Sequence, residues 1–123
     1  MTLSKGEQIL IRIFIGESDK HGSKPLYESI VEILSRQKTS GVTVLRGITG
    51  FGPRSQVHTS HILRLSQDLP IVIEIVDSQE NIDQVLPLIE PLVGDGLITQ
   101  QKVQVLKYGF RKNPDSLEQR RPK

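Results

Sequence analysis

Isoleucine recurs at every second position over residues 8–15, QILIRIFI, which puts Ile9, Ile11, Ile13 and Ile15 on one side and Leu10, Arg12 and Phe14 on the other. This period of two predicts a strand with two useful faces. The polar run Gly16 to Gly22 reads as a turn, and Pro25 suits the first turn of a helix, where its missing N–H would be unbonded anyway. Leu26, Ile30, Ile33 and Leu34 then fall on one helical stripe, and Gly41 stops the segment. Val42 to Arg46, VTVLR, is β-branched and short, a second strand followed by punctuation at Gly47, Gly50 and Gly52. Residues 53–67 show no strong period and read as a long loop, a feature compact domains keep mainly for function.

From Leu69 to Val76 the alternation returns, with Ile71, Ile73 and Ile75 opposed to Val72, Glu74 and Val76, a third strand. Asp77 or Ser78 caps a second helix with Glu80 in its positively polarised first turn, and Ile82, Val85, Leu86 and Ile89 form its apolar stripe. Pro87 removes a hydrogen bond inside that stripe and predicts a kink or an early end. Gly94-Asp95-Gly96 forms a turn, and Leu97 to Leu106, with Val103 and Val105 in alternation, is a fourth strand.

The resulting order, βαββαβ, predicts an α+β, ferredoxin-like fold in which two helices cover one face of a four-stranded antiparallel sheet. Leu10, Phe14, Leu45, Val72 and Val76 then point away from the helices and make the second face too apolar for water. Another copy of the same chain is the expected cover.

Composition narrows the possible chemistry. With 123 residues, 36% of them hydrophobic and 24% charged, the chain has the make-up of one domain that needs no disulfide or metal to hold a core. It contains no Cys, which excludes zinc-finger, iron–sulfur and thiolate chemistry. No uncharged apolar run approaches the roughly 18 residues of a membrane helix, so a cytoplasmic protein without direct membrane insertion is expected. The net charge is +2 and is unevenly spread. Residues 1–106 carry 10 basic and 12 acidic side chains, whereas the stretch from Lys107 onward carries 6 basic against Asp115 and Glu118. The basic character thus belongs to the end of the chain and does not indicate nucleic-acid binding. Residues 1–109 are expected to fold, with 110–123 a basic, solvated and disordered tail.

Catalytic motifs are absent from the sequence: there is no G-x-G-x-x-G between a strand and a helix, no P-loop, and no Ser beside a His in a nucleophile-elbow setting. No enzymatic activity is expected. His58 and His61, three apart, are candidate metal ligands with His21 or Asp19 as a distant third, although loop histidines are more often plain polar residues. Asp77 and Glu80 are explained by helix capping. Two glycine clusters remain, RGITGFGPR at 46–54 and VGDGLI at 93–98. Each is either a turn or a place where backbone N–H groups converge on an anion.

The segments GVTVLRGITGFG (41–52), VHTSHILRLSQDLPIVIEIVD (57–77), GESDKHGSKPLYESIVE (16–32) and VGDGLITQQKVQVLKYG (93–109) together resemble the family named domain of unknown function 190, part of the PII-like superfamily. The resemblance spans about residues 8–109 and leaves the tail outside. It implies a homotrimer with its sheets facing inward, adenine nucleotides bound in the clefts between subunits, and a long loop that addresses a target protein. Thr43, Gly50, Phe51 and Gly52 resemble the base of that loop, and Gly94, Asp95 and Gly96 resemble the turn that meets the phosphates, with Asp95 more a turn former than a ligand. The lysine that follows this turn in PII proteins is Leu97 here, and of their arginine pair only Lys107 has a match, so Arg46 or Arg54 is the replacement charge. Fewer cations favour a mono- or diphosphate over a triphosphate. Residues 53–67 contain no Tyr for nucleotidylation, and one extra residue before Gly50 suggests a bulge.

The expected function is that of a PII-like signalling protein, without a firmly bound cofactor, in which a small anionic effector such as an adenine nucleotide is relayed through the 53–67 loop to a transporter or enzyme. A metal-binding trimer resembling divalent-cation-tolerance proteins, with His58 and His61 as ligands, and a ligand-free interaction scaffold are the alternatives.

Overall fold

The computed structural model describes residues 5–52 and 68–109. The order is β1 (Gly6–Gly16), β2 (Lys20–His21), β3 (Lys24–Pro25), α1 (Leu26–Arg36), β4 (Thr43–Arg46), β5 (Pro70–Asp77), α2 (Gln79–Ile89), a 3-10 turn (Glu90–Leu92) and β6 (Leu97–Val105). Four strands form one antiparallel sheet in the order β4-β5-β1-β6, so the first strand lies in the interior. This is the expected ferredoxin-like α+β arrangement.

The isoleucine alternation decides which face the helices cover. Ile11, Ile13 and Ile73 are fully buried and pack with Ile9, Ile15, Ile71 and Ile75 against Leu26, Ile30 and Leu34 of α1 and Ile82, Val85 and Ile89 of α2. Burial of each such side chain contributes roughly 1.5–3 kcal/mol, and together they hold the two layers in contact. A buried carboxylate ties the layers at one end. Asp77 accepts hydrogen bonds from Ser40 N at 2.9 Å, Ser78 N at 2.8 Å and Asn81 Nδ2 at 2.7 Å. It thereby joins the loop after α1 to the start of α2. Ser78, one of the two expected caps, is the N-cap, its Oγ accepting from Asn81 N at 3.2 Å.

Several local expectations are corrected. The polar turn after β1 contains the small hairpin β2–β3, with Lys20 opposite Pro25 and His21 opposite Lys24. Pro25 stands at the N-cap of α1, outside its first turn, because its extended backbone (φ −56, ψ 136) still serves β3. The second helix continues through Pro87 to Ile89 and tightens into the 3-10 turn. The β4–β5 register runs from Thr43 to Arg46 and is extended by Gly47 N donating to Pro70 O at 2.8 Å. The turn follows, with Gly50 at φ +146, a backbone region that side-chain-bearing residues rarely adopt.

The opposite face of the sheet carries no helix. Register places Leu45, Val72, Phe14 and Leu97 in one row across it, and Val76 and Leu10 in another, with Val103 further along β6. Leu10, expected to need another copy as cover, is already buried within the single chain. Between the rows lies a polar belt in which Arg12 Nε meets Glu74 Oε2 at 2.8 Å, flanked by Thr43 and Thr99. After β6 the chain turns back over this face. Tyr108 Oη donates to Ser40 O at 3.1 Å, and Tyr108 shares a shallow groove with Thr43, Glu74 and Val76. Because β4 and β6 are opposite edges, residues 106–109 form a strap across one end of the open face.

Candidate functional site

At the other end of the sheet, the ends of three strands enclose a cavity of about 230 Å³ lined by Phe14, Ile15, Gly16, Asp19, Phe51, Gly52, Asp68, Pro70, Asp95, Gly96 and Leu97. Its construction follows from strand pairing. Gly16 lies opposite Pro70, so the residues just beyond each strand end are forced together. Asp19 Oδ2 accepts from Gly16 N at 2.9 Å, Asp68 Oδ1 from Ser18 N at 3.0 Å, and Leu69 O from Glu17 N at 2.8 Å. On the far side β6 starts tightly against β1. A Cβ built on Gly96 would stand 2.5 Å from Phe14 O and 2.9 Å from Val93 Cγ1, a space only glycine fits.

The two glycine segments singled out in the sequence therefore meet. Phe51 and Gly52 supply one wall, and Asp95 and Gly96 another. Gly50 stands one position outside the lining and sets the direction in which Phe51 enters. Gly94 is not part of the lining. Arg46 is held by Glu17, its Nη1 at 2.8 Å from Oε2, beside the cavity and outside its lining. Thr43 lies in the groove under Tyr108, and Lys107 is exposed in the strap, so both are remote from the cavity within one chain. Arg54, His58, His61 and the rest of 53–67 lie outside the described residues, as does the tail from 110. Among the described residues no group of three or more His, Cys, Asp or Glu is disposed to hold a metal.

Asp68 was not among the sequence-derived candidates, and Asp19 was named only as a distant third metal ligand beside His58 and His61. Both sit in polar connections with no periodic signal, and only the pairing of Gly16 with Pro70 brings them together. The described lining is mixed: aromatic and aliphatic side chains together with the three aspartates Asp19, Asp68 and Asp95. Such a surface stacks a flat ring against Phe51, which is 59% exposed, and accepts hydrogen bonds from N–H or O–H groups of a ligand. The volume is below the roughly 300–1,000 Å³ of a complete small-molecule site. Phe14 and Leu97 belong both to this lining and to the apolar row on the open face, so the cavity opens onto that face.

The sheet with helices on one face is a fold that this chain shares with solved PII-like proteins. CPII from Thiomonas intermedia K12, a nitrogen regulatory PII-like protein whose structure is bound to ADP, AMP and bicarbonate, superposes with a TM-score of 0.61 at 17% identity, over 86% of this chain and 94% of that one. The chain itself belongs to the DUF190 family, described as "Uncharacterized ACR", which it matches over residues 8–105. It is 42% identical over 99 residues to a UPF0166 protein of Methanocaldococcus jannaschii, covering 80% of this chain and 91% of that one. A UPF0166 protein of Aquifex aeolicus is 34% identical over 99 residues, covering 79% and 91%. The family resemblance drawn from the sequence motifs is thus borne out. No described helix is long and apolar enough to cross a membrane.

Proposed function

We propose that this chain is a PII-like regulatory protein that assembles as a homotrimer, binds an adenine nucleotide in the clefts between subunits, and passes the bound state through residues 53–67 to a target protein, a transporter or an enzyme. One observation carries the reading. Phe51–Gly52 and Asp95–Gly96, far apart in sequence, wall a single cavity that opens onto an uncovered apolar sheet face. A half-site of this kind is completed by whatever covers the face, and three copies arranged around an axis supply three equivalent clefts. The adenine nucleotides in the CPII structure agree with this ligand class.

Within one chain Thr43 and Lys107 are at the wrong end of the sheet for the cavity, so they serve a nucleotide only across a subunit boundary. Arg46, Arg54 and Lys107 are the cations assigned to the phosphates, Gly50 and Gly52 allow backbone approach, and Gly94 and Gly96 form the opposing turn. A ligand that prefers one arrangement of the loop shifts its population by its differential affinity, and a partner reads the shift.

Calorimetry of the purified protein with AMP, ADP, ATP and cyclic AMP, paired with light scattering, tests the proposal. The expected result is a trimer that binds at least one of these at one site per chain, with binding lost in Gly52→Val while the trimer persists. A trimer that binds none of them overturns the nucleotide reading, and a monomer at micromolar concentration overturns the inter-subunit site.

A further inference from the structure

The belt that crosses the open face of the sheet is chemically out of place. Rows of Leu45, Val72, Phe14 and Leu97 on one side and Val76 and Leu10 on the other would make a continuous apolar surface, yet Arg12 and Glu74 are set between them. Leu45 is 49% and Leu97 54% exposed, an apolar surface that a lone chain leaves in water. Arg12 Nε donates to Glu74 Oε2 at 2.8 Å, and Arg12 Nη1 has only a long 3.4 Å contact with Gln101 Oε1. A guanidinium has five N–H donors, and those left over make no hydrogen bond among the described residues.

We propose that Arg12 and Glu74 set the register of self-association, with a second copy of this chain as the occupant of the open face and each Arg12 reaching the Glu74 of a neighbouring subunit. The pair is neutral overall, so it offers no net attraction to a strongly acidic or basic partner. A symmetry-related copy, by contrast, brings a matching pair of opposite charges to the same place without further requirement. An ion pair within an apolar contact adds little net stability over an apolar substitute, but it penalises every register in which a charge is left unmet. The contact also bears on the cavity, because Phe14 and Leu97 lie in the upper row and in its lining, so the copy seated there becomes its missing wall. The inference rests on the trimeric reading proposed above and goes beyond it by naming the residues that choose the arrangement.

Charge reversal separates the possibilities. Arg12→Glu and Glu74→Arg each place like charges within a sheet and across the contact, whereas mixing the two variants leaves the like charges within each chain and restores opposite charges only between chains, at two of the three contacts of a closed trimer. The expected result by light scattering and native mass spectrometry is that each variant alone associates at least about tenfold more weakly than wild type. An equimolar mixture is expected to regain mixed oligomers, and the double reversal to regain homotrimers. Single variants that trimerise as wild type does overturn the proposal, as do single variants that dissociate and are rescued neither by mixing nor by the double reversal. Should reversal unfold the chain by circular dichroism, the near-isosteric Glu74→Gln takes its place. It is expected to loosen the trimer several-fold with the sheet intact, and an unchanged association constant overturns the proposal. A wild-type chain that stays monomeric instead overturns the trimeric reading itself.

Discussion

The two faces of the sheet are written in the same alternating code and behave differently. On the helix side every inward position of β1 from Ile9 to Ile15, and of β5 from Ile71 to Ile75, is an isoleucine at 5% exposure or less. On the other side the same strands offer Leu10, Arg12, Phe14, Val72, Glu74 and Val76, varied in size and split by an ion pair. One residue type at every position packs tightly and cares little about which neighbour it meets. A mixed face carries instructions about what may sit on it, and that is how a surface meant for recognition differs from a surface meant for stability.

Adjacent residues of β5 test this difference most strongly. Ile73→Ala, inside the helix-covered core, is expected to cost about 2–5 kcal/mol in urea unfolding, because the space it leaves is walled by helices and strands that relax only partly. Val72→Ala, one residue along and on the open side, is expected to cost less than about 1 kcal/mol at concentrations where the chain is dissociated, and to show its main effect as weaker association. Equal losses from the two in the dissociated state would abolish the contrast. Gly96→Ala comes next, since its Cβ would press on Phe14 O, a backbone atom that cannot swing away. An expected loss of about 1–3 kcal/mol by thermal melting, with poorer ligand binding, links the open face to the cavity. A melting curve unchanged from wild type would remove that link.

The smallest effect lies far from both faces. The Lys24 ammonium, hydrogen-bonded at 2.8 Å and adding its charge, lowers the Glu32 carboxyl below its ordinary value, with a lesser contribution from Arg36. A carboxylate lowered in the folded state contributes stability above its ordinary value, near about pH 4.3, that disappears as the pH falls through the lowered one. Glu32 is exposed, so water screens the pair and the contribution is small. Lys24→Ala is expected to flatten this slight acid-side slope in urea titrations between about pH 3 and 6, and a slope identical to wild type would show the pair to be inert.

How much of this was legible in the sequence depends on whether a feature leaves a period. β1, β5 and both helices did, because a half-buried strand or helix must repeat its apolar residues at its own spacing. The family could be read from its long motifs. The β2–β3 hairpin could not be read, since two-residue strands hold no period, and the position of Pro25 followed from that hidden pairing. Among the residues lining the cavity, glycine marked the clusters at 46–54 and 93–98, and the family resemblance singled out Phe51, Gly52, Asp95 and Gly96 within them. Asp68 was missed, and Asp19 was considered only as a metal ligand, because their meeting is a property of strand register. The separation of Thr43 and Lys107 from the cavity likewise depends on strand order, which the chain does not spell out locally.

The place of β1 has a consequence for the making of the protein. Of the four strands of the sheet this one is synthesised before the others, and its Arg12 waits for partners 62 and 89 residues further along the chain. Until β5 and β6 have been synthesised, QILIRIFI is a nascent β-prone segment with nothing to pair with, and its slow, non-local closure exposes it to other unfinished chains. A single positive charge in the middle of such a run is the usual brake on cross-β association. Arg12 guards the strand before there is a sheet for it to join.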